Sequence, residues 1–402
     1  MKAEQRQYRT PLRTAWIPLL LLLVGCRSAP VADAESALEP GGPFPGLTDA
    51  ERARFEAGRS LFDRVFRPEE GLGPLFNENQ CSACHTEPAS GGSGEQFAVR
   101  MTRFEAPDRC DLIPDHGGEN VQSNATPLLQ ALGFTGRPEP PGVTERGRFF
   151  TPFLFGLGLA EAIPDEVILS REDPDDRDGD GISGRAGRTA SGATGRFGRK
   201  AEHAAVADFV AGAALLEMGL TSPSQPREPV LNGAPMPAEA DPVADPELDA
   251  ESLARLADFV RFLAPLPRRI PEDAARQADI ADGEELFTEI GCASCHTPVL
   301  ETGPSPVRAL DRKRARLYSD FLLHDMGPEL AGACGIAASP GEYRTESLAG
   351  LGYRRRFLHD ARSRSLHEAI RLHGGEAVRV RAAFETLDPV TQERLIRFLQ
   401  SL

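Results

Sequence analysis

Two five-residue clusters, Cys81-Ser82-Ala83-Cys84-His85 and Cys292-Ala293-Ser294-Cys295-His296, stand in opposite halves of this 402-residue chain. C-x-x-C-H is the attachment pattern of a c-type haem. Two thiols three residues apart on one helical turn both reach the vinyl groups of the porphyrin. The histidine that follows lies under the ring and gives its nitrogen to the iron. A zinc site would need a closed set of four nitrogen or sulfur ligands. A thioredoxin-like pair would need a βαβ setting, which the surrounding sequence lacks. The expectation is therefore two covalently bound haem c groups, held by Cys81, Cys84, Cys292 and Cys295, with His85 and His296 as iron ligands.

The N-terminus reads as an export address. Lys2, Arg6, Arg9 and Arg13 precede an apolar run from Ala15 to Val24. A transmembrane helix needs about 20 apolar residues, so this shorter run is a signal-peptide segment. It ends Leu23-Val24-Gly25-Cys26. That ending resembles the lipobox of bacterial lipoproteins, in which the cysteine becomes the lipidated first residue; the alternative is an ordinary signal peptide with an incidental cysteine. Residues 1–25 are then the lipoprotein signal peptide, with Cys26 as the lipidation site. Residues 26–47, rich in Pro, Gly, Ala and acidic side chains, are a flexible tether. Arg27 after Cys26 favours the outer membrane under that resemblance. The expected location is the periplasm, on a lipid anchor, where thioether attachment takes place.

The halves of the chain echo each other. Thr48-Asp49-Ala50-Glu51 is a capping box that opens a helix with Phe55, Gly58 and Phe62 at helical spacing. Gly58-Arg59-Ser60-Leu61-Phe62 precedes the first cysteine cluster, and Gly283-Glu284-Glu285-Leu286-Phe287 precedes the second. Asp249 and Asp388 each cap a closing amphipathic helix, ending Val260-Arg261-Phe262-Leu263 and Ile396-Arg397-Phe398-Leu399. We read an N-terminal haem domain at 48–266 and a C-terminal one at 275–402. No segment reads as a run of alternating strands. The expected fold is mainly α: two cytochrome c-like domains, the first with a long insertion at about 86–250.

Lys and Arg number 45 against 60 Asp and Glu, a net charge of −15. That balance speaks against nucleic acid and favours a basic protein partner. Asp176, Asp178 and Asp180 have the spacing that starts a calcium loop, but the twelfth position is Gly187, so this is not an EF-hand. One calcium ion or a solvated acidic turn both remain open. Cys110 and Cys334 are left over, and an oxidising compartment permits a disulfide between them.

Several segments together resemble the di-haem oxidoreductases, described as peroxidases or thiol oxidoreductases, within the dihaem cytochrome c peroxidase superfamily. They are Phe155-Gly156-Leu157-Gly158-Leu159-Ala160-Glu161; Asp178-Gly179-Asp180-Gly181-Ile182-Ser183-Gly184-Arg185; Leu323-His324-Asp325-Met326-Gly327; and Phe357-Leu358-His359-Asp360 leading to His373-Gly374-Gly375-Glu376. In the peroxidases a His-Asp-Gly element is followed by the sixth ligand of the C-terminal haem, usually Met. Here the matching positions are His359-Asp360-Ala361 and His373, which implies a bis-His haem, with Met326 as the alternative. The peroxidases also carry a Glu-Met-Gly stretch whose Glu acts at the N-terminal haem. Glu217-Met218-Gly219 matches it, which implies Glu217 as the catalytic acid and base, with His203 as a competing ligand that would close that iron. Two departures stand out. The only tryptophan is Trp16, so none can lie between the haems, and Tyr318, Tyr343 and Tyr353 are what remains for a relay. Arg344-Thr345-Glu346 has Glu where the family usually has Pro.

The function expected is electron transfer from a small redox donor (a cytochrome or a cupredoxin, basic by the charge argument) to a peroxide-type oxidant at the N-terminal haem. The rivals are a purely electron-transferring dihaem cytochrome and an oxidoreductase acting on thiols or another organic substrate.

Overall fold

Thr48 opens the first helix with the reciprocal bonding its sequence predicts: its hydroxyl accepts from the Glu51 amide at 3.3 Å, and the Glu51 carboxylate accepts from the Thr48 amide at 2.7 Å. The structure, a computed structural model, describes Met1 and residues 38–402. The expected signal peptide beyond Met1, Cys26 and most of the tether lie outside the described residues.

The helix Asp49–Phe62 buries Phe55, Gly58 and Phe62. Those side chains pack on the helix Ala250–Phe262, with Phe55 and Phe62 at 5.2 and 4.8 Å from the Phe259 ring. Gly58 allows the approach. A Cβ there would overlap the Arg255 carbonyl and come within 2.8 Å of the Phe259 Cβ. The same contact is built again in the second half. Helix Ala274–Glu289 packs on helix Pro389–Ser401, with Phe287 and Phe398 at 5.3 Å. A Cβ on Gly283 would overlap the Arg394 carbonyl and lie 2.8 Å from the Phe398 Cβ. Asp249 and Asp388 cap the two closing helices, accepting from the Ser252 amide at 2.7 Å and the Val390 amide at 2.9 Å. Each buried Phe contributes roughly 1.5–3 kcal/mol, so two aromatic cores hold the two helix pairs. Residues 38–402 nonetheless belong to one contact unit.

The expected absence of strand pairing does not hold. Strand Phe97–Glu105 is the centre of a four-stranded antiparallel sheet, paired with Arg109–Asp111, Asn120–Val121 and Glu145–Phe150. Its register sets Arg100 against Gly147 and Phe104 against Cys110. The strand is half-buried along most of its length. Its arginines are held by ion pairs rather than by water, Arg100 to Glu202 at 2.7 Å and Arg103 to Asp111 at 2.8 Å. The alternation that marks a one-faced strand is therefore blurred. The sheet lies in the expected insertion and is tied to the second half by a Cys110–Cys334 disulfide, with Cα atoms 5.9 Å apart. The Cys334 amide also donates to the buried Thr102 hydroxyl at 3.1 Å. No helix among the described residues is long and apolar enough to cross a membrane.

Candidate functional site

Cys81 and Cys84 bracket a single helical turn, Cys81–Cys84, and His85 follows as its cap. The His85 Nδ1 faces the Gly92 carbonyl at 2.9 Å. That nitrogen then carries the proton, and the Pro152 carbonyl is a second backbone acceptor beside the ring. Burial lowers the His85 pKa to about 4, so the ring is neutral at pH values where an iron ligand must be neutral. Burial pushes both thiols up to about 12. A thiol held protonated is a poor zinc ligand and a poor redox nucleophile.

A cavity of about 360 Å³ opens beside this turn, lined by Cys81, Cys84, His85, Glu217, His203 and the rings of Phe97, Phe150 and Phe197, among others. Glu217 is carried there by the helix Val206–Met218. Its Oε2 accepts from the Asn77 Nδ2 at 2.7 Å and its Oε1 from the Asn120 Nδ2 at 3.1 Å. Burial raises its pKa, against the pull of these two amides and of Arg100. His203 packs edge-on to Phe209, with ring centroids 5.7 Å apart, and burial lowers its pKa. Met218 places its sulfur 3.6 Å from the Cys81 sulfur.

The second site repeats the imidazole geometry. Cys292 and Cys295 flank a 3-10 turn, and the His296 Nδ1 lies 3.1 Å from the Tyr318 carbonyl. Burial lowers the His296 pKa to about 4, and the nearby His373 pushes it the same way. His373 follows the helix Leu366–Arg371 and points its Nδ1 at the Ala369 carbonyl, 2.7 Å away. Burial lowers its pKa too. Both rings thus keep Nε2 unbonded within electrostatic reach of each other.

His324 is committed elsewhere. Its Nε2 lies 3.0 Å from Asp320 and its Nδ1 2.7 Å from Glu376, with the Cys295 sulfur at 3.6 Å. Burial opposes a charge there, but these partners overcome it and hold the pKa well above 6.5. An imidazolium with both nitrogens donating has no lone pair for iron. Met326 packs with Phe149, Ala333 and Tyr343. His359 stacks on Tyr343 at 4.1 Å.

Asp176, Asp178 and Asp180 do converge, with one oxygen of each within 4.8 Å of the others. They also accept the amides of Gly181, Asp180 and Ile182 at 3.0, 3.1 and 2.8 Å. These turn bonds account for the convergence without an ion. Sequence reasoning missed a second carboxylate cluster, Glu228, Asp241, Asp245 and Glu247; only the proline-rich run around it marked the segment. It also missed Asn77 and Asn120, which no spacing connects to Glu217.

A family model described as "Di-haem oxidoreductase, putative peroxidase" matches residues 143–402. That span contains Glu217, the second cysteine cluster and His373; the first cluster lies before it. Among solved structures the chain is similar to hydrazine synthase of Kuenenia stuttgartiensis, at 12% identity and a TM-score of 0.42, covering 99% of this chain and 100% of that one. It is also similar to a MauG-like protein associated with microbial copper homeostasis, at 13% identity and a TM-score of 0.40, covering 91% of this chain and 94% of that one. At such scores neither likeness carries an argument. No curated protein matches the chain.

Proposed function

The chain belongs to the di-haem oxidoreductase family, and from that premise we propose that it is a lipid-anchored, periplasm-facing c-type enzyme that passes electrons from a small redox protein to hydrogen peroxide. The two helix pairs are read as two cytochrome c-like domains, 48–266 and 275–402. Covalent attachment at Cys81, Cys84, Cys292 and Cys295 is supported by the C-x-x-C-H spacing on a single turn at each site and by His85 and His296, each anchored through Nδ1. Haem bound at these positions supplies the electron-transfer centres and, at an iron with one open face, a seat for a small oxidant.

The protein's own residues then divide the work. His296 and His373 are the two imidazoles that would hold the iron of a haem at the C-terminal site, and that haem would take up the electrons from the donor. Glu217 serves the N-terminal cavity. Its raised pKa lets it hold a proton, and the same carboxylate can take a proton from one peroxide oxygen and return it to the other as the O–O bond breaks. Asn77 and Asn120 fix both of its oxygens, so no carboxylate rotation is needed. The −15 charge favours a basic donor.

One observation carries this reading: Glu217 shares a buried cavity with Cys81, Cys84 and His85. Steady-state peroxide turnover of Glu217→Gln against wild type tests it. A loss confined to turnover, with unchanged absorption spectra, is expected; full turnover removes Glu217 from the mechanism. A second reading rests on His203, which lines the same cavity. If His203 binds the first iron, the protein is an electron relay, and cyanide will fail to bind either site.

A further inference from the structure

One wall of the N-terminal cavity carries more positive charge than the protein balances. Arg199, Arg344 and Arg354 line it together with Glu346. All three arginines donate to that one carboxylate, at 2.9, 2.8 and 3.2 Å. Their side chains are only 10%, 10% and 9% exposed. Other donor bonds go to carbonyls: Arg199 to Phe150, and Arg344 to Gly198 and Thr345. The Nε of Arg199 is buried without a partner. Three guanidiniums against one carboxylate leave two unmatched positive charges in a buried place, and buried charges without partners are not stable arrangements.

The other charged groups of the cavity do not supply the missing anions: Glu78, a further carboxylate on its lining, acts on Cys84 and is paired with none of the three arginines. Arg100 already holds Glu202. Arg196 is bonded to Asp165 and to backbone carbonyls. Glu217 is held by its two amides. Asp320, which also acts on Arg344, is bonded to His324. Glu346 stays ionised, near 2, because the arginines outweigh its burial, whereas burial lowers Arg354 to about 10 even with Glu346 beside it.

A haem carries two carboxylates, its propionates, on the edge of the porphyrin opposite the vinyl groups. The cavity has the cysteines for the vinyl edge, and it has two unmatched cations. Resting on the dihaem reading, we infer that Arg199, Arg344 and Arg354 seat the two propionate carboxylates of the N-terminal haem, with Glu346 holding the three guanidiniums in place. Arg199 comes from the first half of the chain and Arg344 and Arg354 from the second. The N-terminal haem is therefore gripped by both halves, and its potential depends on residues far from Cys81 and Cys84. The shared chemistry is a pair of carboxylates, which a free dicarboxylate could also provide.

Redox potentiometry on the full-length holoprotein tests this, following each haem by its own spectrum. Arg354→Gln and Arg199→Gln remove a positive charge and should lower the midpoint potential of the N-terminal haem while leaving the C-terminal one in place. Glu346→Gln removes a negative charge and should raise it. Arg354→Lys keeps the charge and should hold the potential near wild type, which separates an electrostatic effect from damage to the fold. Equal shifts at both haems, or none at the N-terminal one, overturn the assignment. So does a wild-type potential that follows added succinate, since the seat would then take a free anion. A preparation without porphyrin on the tryptic peptides around Cys81 and Cys292 overturns the dihaem reading instead, so the two failures are distinguishable.

Discussion

Asn77 donates its side-chain amide to the carboxylate of Glu217 at 2.7 Å, across 140 residues of sequence. Asn77 lies just before the first cysteine cluster, and Glu217 near the end of a helix in the insertion. The bond therefore ties the acid to the segment that carries His85. A carboxylate held this way is oriented before any substrate arrives.

Removing that carboxylate should cost peroxide turnover about 10²–10⁴-fold, the usual worth of a positioned acid–base group. Its pH signature has a definite sign. Burial raises the folded pKa of Glu217 above the ordinary 4.5. Its stabilising protonation is fully present below that value and lost as pH rises through the folded pKa. Glu217→Gln does not titrate, so its melting temperature relative to wild type should improve as pH rises from the ordinary 4.5 through the raised folded pKa. A difference that is flat with pH contradicts the raised pKa.

His324 should behave as a structural cation. Its folded pKa lies well above 6.5, so the stability it gives is complete below 6.5 and fades as pH rises through the folded value. His324→Ala leaves Asp320 and Glu376 without their shared partner, a loss of about 3–5 kcal/mol for a broken buried pair. Denaturant unfolding near neutral pH measures it. A near-neutral substitution would show that the carboxylates find other partners.

Much of this arrangement was legible in the sequence, for local reasons. The cysteine clusters, the caps at Thr48, Asp249 and Asp388, and the glycines before Phe62 and Phe287 are signals within one or two turns of chain. What stayed hidden depends on pairing between distant segments. Strand Phe97–Glu105 hides its alternation because arginines on it are neutralised by Glu202 and Asp111. Glu346 was visible as a departure from the family pattern with Arg344 beside it, but Arg199 reaches it from the other half of the chain and no local signal marked Arg354. His324 was visible as part of a family-like segment, and nothing local marked Asp320 and Glu376 as the partners of its two nitrogens.

Gly58 and Gly283 make the same contact in the two helix pairs, and they give a matched test. Gly58→Ala and Gly283→Ala each force a methyl group into a backbone carbonyl, an overpacking cost of about 1–3 kcal/mol. Thermal unfolding of the two single variants should show losses of similar size. A tolerated substitution at either position would mean that its helix pair can separate without cost.

The Cys110–Cys334 bridge closes 224 residues of chain. Reducing it should lower stability by about 2–5 kcal/mol, chiefly by freeing the unfolded chain. Thiol titration of the denatured, unreduced protein should find neither cysteine free. Two free thiols would contradict the bridge.

The most direct test of the whole account is the absorption and electron-paramagnetic spectrum of the purified protein when half-reduced. Two porphyrins are expected per chain. One should be low-spin with histidine on both faces, and should lose that signature in His373→Ala; the other should be high-spin and able to bind cyanide. A protein without porphyrin absorption, or with two low-spin irons that ignore cyanide, would contradict it.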